Sequence, residues 1–317
     1  MDRIICVVGP TASGKTALAV ELARCFDGEV LSCDSMQIYR HMDIGTATPT
    51  AEEMGGVPHH MLSIVDPGEP FSVGRFVELA DPVLRDILAR GRTAVLCGGT
   101  GLYVDSLLSG RTFAPCPSTG RRQELERLAD EQGIEAVRSL LQRVDPASAA
   151  RIPPGDRRRI LRAAEVYLET GRTITEHNEE SRRQPPRYTA AWIGLDFVHR
   201  DALYRRIDAR VGRMLEDGLL EELRALLAMG VPPEATSLQA IGYKEFLAAL
   251  RGEQTVAAAA DRVRQESRRY AKRQLTWFRR NPAIHWIRQP DEPEADAVLQ
   301  AALDILAQLE FRPAPPN

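Results

Sequence analysis

The sequence predicts an α/β fold: a parallel sheet flanked by helices and interrupted by an all-helical insertion. Three observations carry this. Over the first 110 residues, short apolar runs alternate with helical patterns, which is how successive strands come to lie parallel. One run, Ile4-Ile5-Cys6-Val7-Val8, enters a glycine-bounded loop, Gly9-Pro10-Thr11-Ala12-Ser13-Gly14-Lys15-Thr16, and then a helical pattern, Ala17-Leu18-Ala19-Val20-Glu21-Leu22. From Gly120 to Gly171 the periodicity is helical with no strand signal.

The elements follow in order. Strand Ile4–Val8 precedes helix Lys15–Cys25, and strand Glu29–Ser32 ends at Cys33-Asp34. A long loop holds Gly45, Pro49, Gly55, Gly56 and Pro58. Ser72 caps an amphipathic helix to Leu88; strand Thr93–Cys97 then runs into Gly98-Gly99-Thr100-Gly101, and a helix begins near Leu102. Pro115 and Pro117 break the pattern, and Arg121–Glu131, Ile134–Val144 and Arg157–Thr170 read as helices of the insertion. Ala191–Asp196 returns to strand character. Helices Arg200–Asp217, Leu219–Met229, Leu238–Leu250 and Thr255–Phe278 follow, with Ile284–Ile287 as an edge strand. The expected organisation is a core of residues 1–114 and 191–311, an insertion over 115–190, and a disordered Pro-rich tail over 312–317.

Composition narrows the setting. At 317 residues, 44% apolar and 27% charged, the chain is an ordinary globular protein with ample core. No run of 18 apolar residues exists, so no membrane span is expected. Strand character from Ile4 leaves no room for a leader. Five cysteines without a C-x-x-C pair read as reduced thiols in the cytoplasm. Net charge is −3, yet residues 151–213 hold 14 Arg against nine acids, and 262–280 hold eight basic residues against Glu266 alone. Such stretches suit either a polyanion or a solvated helix face.

The loop Gly9–Thr16 is a P-loop, G-x-x-x-x-G-K-[ST], in its strand–loop–helix setting. Its backbone N–H groups and the following helix N-terminus suit phosphate oxygens, Lys15 reaches the outer phosphate, and the Thr16 hydroxyl suits Mg²⁺. Of 41 basic residues only Lys15, Lys244 and Lys272 are lysine, so the loop keeps a compact ammonium in an arginine-rich chain. Ligands of such sheets sit beyond the carboxyl ends of the strands, which places the P-loop, Asp34 and Thr100 on one rim.

A P-loop does not name a reaction. A small-molecule kinase, a regulatory NTPase and a transferase holding a diphosphate leaving group all use one. No N-K-x-D guanine motif is present, and Asp34 lacks the following Glu of a mechanical ATPase. Asp34 suits a metal, an acceptor proton or a turn; Thr100 reads locally as a turn or N-cap residue. His59-His60 lacks a third metal ligand, Trp192, Trp277 and Trp286 are expected in the core, and Arg210 or Arg213 is either a diphosphate contact or a surface ion pair.

Several motifs together resemble one family. Gly9–Thr16, Asp34-Ser35-Met36-Gln37-Ile38-Tyr39-Arg40, Met42-Asp43-Ile44-Gly45-Thr46-Ala47, Pro58-His59-His60, Gly98-Gly99-Thr100-Gly101-Leu102-Tyr103, Gly242-Tyr243-Lys244 and Arg269-Tyr270-Ala271-Lys272-Arg273-Gln274-Leu275-Thr276-Trp277-Phe278-Arg279 are similar to the bacterial tRNA dimethylallyltransferases, in the family's order and from residue 4 to about 288. The resemblance implies a P-loop NTPase-like fold that does not use ATP, Mg²⁺ as cofactor, and transfer of a dimethylallyl group from dimethylallyl diphosphate to N6 of adenine 37 in tRNAs reading codons that begin with U. It implies Asp34 as general base, with Lys15 and Thr100 also catalytic, and diphosphate bound by Gly9, Pro10, Thr11, Ala12, Ser13, Gly14, Lys15 and Thr16. It implies contacts to the tRNA anticodon stem-loop from Asp34, Ser35, Met36, Gln37, Thr100, Arg122, Arg158, Arg159, Ile160, Leu161, Arg162, Gln239, Ala240, Ile241, Gly242, Tyr243 and Lys244. A cytoplasmic monomer is expected. An adenylate isopentenyltransferase needs neither the basic insertion nor the long basic C-terminal helix; a P-loop kinase and a non-catalytic RNA-binding module are the other rivals.

Overall fold

The computed structural model describes residues 2–114 and 119–311; Cys116 and the tail 312–317 lie outside the described residues. Six strands form one parallel sheet: β1 (Ile4–Val8), β2 (Gly28–Ser32), β3 (His59–His60), β4 (Thr93–Gly98), β5 (Ala191–Phe197) and β6 (Ile284–Gln289). Their spatial order is β3-β2-β4-β1-β5-β6, with Ile4 opposite Ala94 and Val8 opposite Gly98 in the central pair. The predicted edge strand at Ile284 is therefore real.

Alternate residues of the strands feed two cores, as the two-residue strand period requires. Ile5, Val7, Val95 and Ile193 pack against α1 (Lys15–Cys25) and, further along the chain, α14 (Ala295–Gln308). Ile4, Cys6, Val8 and Leu96 pack on the other face against α3 (Val73–Ala89) and α4 (Gly101–Ser109). α2 (Ala51–Met54) is a single capped turn in the loop after β2, with Thr50 and Glu53 forming a capping box. Ser72 caps α3 by accepting from the Arg75 N–H, as its position predicts.

A second group of helices lies beside the sheet: α10 (Arg200–Glu216), α11 (Leu219–Ala228), α12 (Tyr243–Leu250) and α13 (Val256–Phe278). Together with Ile38, Tyr39 and Met42 from the loop after β2 they enclose a third core. The expected helix Leu238–Leu250 is split into a 3₁₀ turn, Ser237–Gln239, and α12, because Gly242 adopts φ 104° between them. Elements β3, α2, α14 and, in the insertion, the helices Pro146–Arg151 and Ile174–Arg183 are additions to the sequence reading; β3 and α2 are too short to show a period.

By its contacts the chain divides into two compact units, residues 1–108 with 188–317 and residues 109–187, against the expected 115–190 for the insertion. The smaller unit holds α5 (Arg121–Gln132), α6 (Ile134–Val144), α7 (Pro146–Arg151), α8 (Arg157–Thr170) and α9 (Ile174–Arg183). Its core is Leu125, Val137, Leu141, Ile160 and Leu161. Among the described residues no helix is long and apolar enough to cross a membrane.

Candidate active site

The P-loop lies between β1 and α1. Gly14 is the N-cap of α1 at φ 88°, where an added Cβ would meet nothing within 4 Å, so open space faces the loop. The first turn of α1 carries no acidic residue and no side-chain cap, which leaves its N–H groups and partial positive charge for an anion. Ser13 Oγ is buried with no hydrogen-bond partner among the described residues, an orphan that a phosphate oxygen would satisfy. Lys15 Nζ donates to Pro10 O at 2.7 Å. Burial pulls its pKa down to about 8, with Arg210 acting the same way and Cys97 and Asp34 opposing.

The loop is braced from elements far along the chain. The Thr11 N–H donates to Gln274 Oε1 at 2.8 Å, Gln289 Nε2 donates to Ser13 O at 3.0 Å, and Arg206 Nε donates to Ala12 O at 3.0 Å. Arg210 Nη1 donates to Thr11 Oγ1 at 3.1 Å and its Nη2 to Thr46 O at 3.3 Å. Burial lowers the Arg210 pKa, and Asp34 opposes that shift. A cavity of about 780 Å³ opens over Ser13–Thr16, walled by Ile44, Ala47 and Thr48 on one side and by Arg206, Arg210, Arg213 and Met214 on the other. Arg210 and Arg213, which the sequence left undecided, both line it.

Asp34 follows β2. Its Oδ1 accepts from the Met36 N–H at 2.8 Å, a turn that fixes the carboxyl at the sheet edge. The Ser35 N–H donates to Thr100 Oγ1 at 3.2 Å, and the Thr100 N–H to Cys33 O at 3.3 Å, so the ends of β2 and β4 are stitched together. Gly98 permits this: an added Cβ would sit 2.3 Å from Cys33 O. Gln274 Nε2 donates to Gly99 O at 3.0 Å, so one side chain joins this rim to the P-loop. The Tyr270 hydroxyl lies against Thr100 and Gln274, its pKa pushed up to about 12 by burial and Asp34. Gln37 is occupied structurally, accepting from Ser32 Oγ at 2.9 Å and donating to Ala47 O at 2.9 Å.

The remaining site expectations divide by exposure. Arg158 and Arg159 stand exposed at the start of α8, with Arg159 near Asp156 at 3.3 Å. Arg122 pairs with Glu126 at 2.7 Å, and Arg162 with Glu165 at 2.9 Å. Ile160 (0% exposed), Leu161 (2%) and Tyr243 (0%) are core residues, so their side chains are not open to the expected tRNA contact. Gln239, Ala240, Ile241 and Gly242 form the 3₁₀ turn and the lead into α12, and Lys244 Nζ lies 3.6 Å from Glu245. His60 Nε2 bonds Glu29 at 2.7 Å and His59 Nδ1 bonds Val57 O at 2.8 Å. Among the described residues no group of three or more His, Cys, Asp or Glu is placed to hold a metal.

Gln274 and Gln289 carry no sign of this role in the sequence: Gln274 lies in the Arg269–Arg279 motif without an assigned task, and Gln289 ends β6 with no local motif. Arg210 stands in the sequence as either a diphosphate contact or a surface ion pair.

Comparison with known proteins fits this geometry. The family model described as IPP transferase matches residues 37–281, and that described as isopentenyl transferase matches residues 2–63. The tRNA dimethylallyltransferase of Acetivibrio thermocellus is 44% identical over 297 residues, 93% of this chain and 94% of that protein. The full-length tRNA isopentenylpyrophosphate transferase of Bacillus halodurans superposes with a TM-score of 0.73 at 42% identity, covering 98% of this chain and 97% of that one. A eukaryotic dimethylallyltransferase acting on tRNA superposes with a TM-score of 0.83 at 27% identity, covering 100% of this chain and 82% of that one. With a matching model across most of its length and near full-length relatives at this identity, the chain belongs to the IPP transferase family.

Proposed function

We propose that the protein transfers a dimethylallyl group from dimethylallyl diphosphate to N6 of adenine 37, beside the anticodon, in tRNAs reading codons that begin with U, and releases diphosphate. The observation that supports this most is the sharing of one rim of the sheet by a phosphate cradle and a carboxylate: Gln274 bonds both Thr11 of the loop and Gly99, and Thr100 beside it bonds Ser35 next to Asp34. A transferase needs a base for its acceptor.

In this reading the allylic C–O bond breaks and its electron pair leaves on the diphosphate, which Gly9–Thr16, Lys15 and Arg210 stabilise. Preorganised donors of this kind contribute about 2.7–4 kcal/mol each. The N6 lone pair forms the new C–N bond. The exocyclic amine is a weak nucleophile until its proton leaves, and Asp34 accepts that proton, worth ~10²–10⁴-fold. Thr100 holds the acceptor strand near Asp34. The Thr16 hydroxyl is the side chain that would hold Mg²⁺, which would supply charge neutralisation to the leaving group.

The adenine must leave its stack, at a cost of a few kcal/mol that is least in a loop. The tRNA contacts are assigned to residues 34–37, Thr100, Arg122, Arg158, Arg159, Arg162 and the 239–244 segment, with Ile160, Leu161 and Tyr243 shaping the surface from within. With tRNA as acceptor the enzyme works in the cytoplasm, as a monomer. Mass spectrometry of adenosine after incubation with labelled dimethylallyl diphosphate tests the reading. Prenylated adenosine from unmodified tRNA, and none from free AMP, is expected. Product on AMP alone would make it an adenylate prenyltransferase, and ATP consumption with a small alcohol would make it a kinase.

A further inference from the structure

Glu222 lies on α11, away from the P-loop and outside every motif of the chain. Yet its carboxylate gathers four donors. Oε2 accepts from the Asp43 N–H at 2.7 Å and the Ile44 N–H at 2.8 Å; Oε1 accepts from the Gly45 N–H at 3.1 Å and the Tyr243 hydroxyl at 2.6 Å. Three successive backbone N–H groups converging on one point form an anion-binding concavity. Here the anion is a side chain of the same molecule, and such charge-assisted bonds are about twice as strong as neutral ones.

The gripped segment is a wall of the cavity over the P-loop, through Asp43 and Ile44. Its far end reaches the phosphate cradle by a second route: Thr46 O accepts from Arg210, whose other nitrogen bonds Thr11. Tyr243 closes the near end. It is fully buried, and a Cβ at Gly45 would lie 2.5 Å from its ring, so the segment seats on Tyr243 only because residue 45 has no side chain. An unbroken set of contacts thus runs Tyr243–Glu222–residues 43 to 46–Arg210–Thr11.

We infer that Glu222 is a positioning residue for the allylic diphosphate: it fixes the Asp43–Thr46 backbone so that Thr46 O aims Arg210 at the phosphate cradle. This rests on the reading of the cavity as the donor site. The carboxylate touches no reacting atom, so its loss should loosen donor binding while leaving the chemistry of a bound donor intact.

The test uses the full-length protein with Glu222→Ala, Glu222→Gln and Tyr243→Phe. Inorganic pyrophosphate binding is measured by calorimetry, steady-state constants with dimethylallyl diphosphate and unmodified tRNA, and amide exchange over residues 43–46. Glu222→Ala should raise the KM for the allylic donor and the Kd for pyrophosphate roughly 10- to 100-fold, with kcat within about threefold and the KM for tRNA unchanged. Exchange at residues 43–45 should accelerate. Glu222→Gln should recover part of the loss, since it keeps one acceptor oxygen. Tyr243→Phe removes a single bond and should move the donor KM only a few-fold, which keeps the inference testable if Glu222→Ala fails to fold. Unchanged donor KM and pyrophosphate affinity in folded variants, or a fall in kcat alone, would overturn it. A wild-type protein that neither binds pyrophosphate nor prenylates tRNA would instead refute the proposed function.

Discussion

The phosphate cradle and the Asp34 rim occupy the same edge of one sheet but are held by opposite means. The cradle is eight contiguous residues whose shape comes from local backbone and the start of α1; distant groups such as Gln274, Gln289 and Arg206 only brace it. The rim has no such local frame. It exists because β2 and β4 end side by side, because Gly98 lets Cys33 approach, and because α13 delivers Tyr270 and Gln274. The cradle's own backbone shape is therefore set locally and only the aim of Arg210 is set from afar, whereas the whole Asp34 rim depends on packing between distant elements.

The largest expected effect separates the two directly. Asp34→Asn should lower kcat ~10²–10⁴-fold while pyrophosphate and tRNA affinity stay near wild type; single-turnover rates with normal amplitude would show it, and undiminished turnover would exclude the base role. Lys15→Ala should cost ~10²–10³-fold, and here diphosphate affinity should fall as well. If both variants produce the same pattern, the cradle and the rim are not distinct.

Gly98→Ala sharpens the claim that the rim depends on backbone approach. A methyl group 2.3 Å from Cys33 O must push β2 and β4 apart. A loss of about 1–3 kcal/mol of stability is expected by denaturant titration, with turnover falling more than pyrophosphate binding. Equal losses in both would mean that the cradle leans on the same contact.

The smallest effect concerns charge. With its pKa near 8 in the free protein, Lys15 is mostly protonated at pH 7 and loses its proton as pH rises through 8. A bound diphosphate favours the ammonium and raises that pKa. Affinity for pyrophosphate should therefore fall by up to about tenfold per unit above pH 8, with proton uptake on binding. Calorimetry in buffers of different ionisation enthalpy measures that uptake; the part due to Lys15, taken as the difference between wild type and Lys15→Ala, should shrink toward pH 6. Cradle and rim are electrostatically linked, so Asp34→Asn should enlarge the uptake at pH 8, because Asp34 helps keep Lys15 charged.

The P-loop, helix α1 to its last residue, the Ser72 cap and the edge strand at Ile284 were all legible in the sequence, because each is written in a local period or spacing. So was the rim position of Asp34 and Thr100, since parallel strands must end on one side. Three of the expected tRNA-contacting residues have buried side chains. The run from Arg158 to Arg162 reads as a basic stretch, but a helix turns 100° per residue, so Ile160 and Leu161 point into the core while Arg158 and Arg159 point out. Tyr243 adjoins a glycine in a motif-like setting, yet its ring is a seat for Gly45. Local pattern thus determined the cradle and the order of the sheet. Only the folded chain decided who braces it: the Arg269–Arg279 motif does not say that Gln274 holds the loop, Arg210 stood between a diphosphate contact and a surface ion pair, and Glu222 lies outside every motif, because contacts across some 160 to 260 residues are set by packing and leave no periodicity behind.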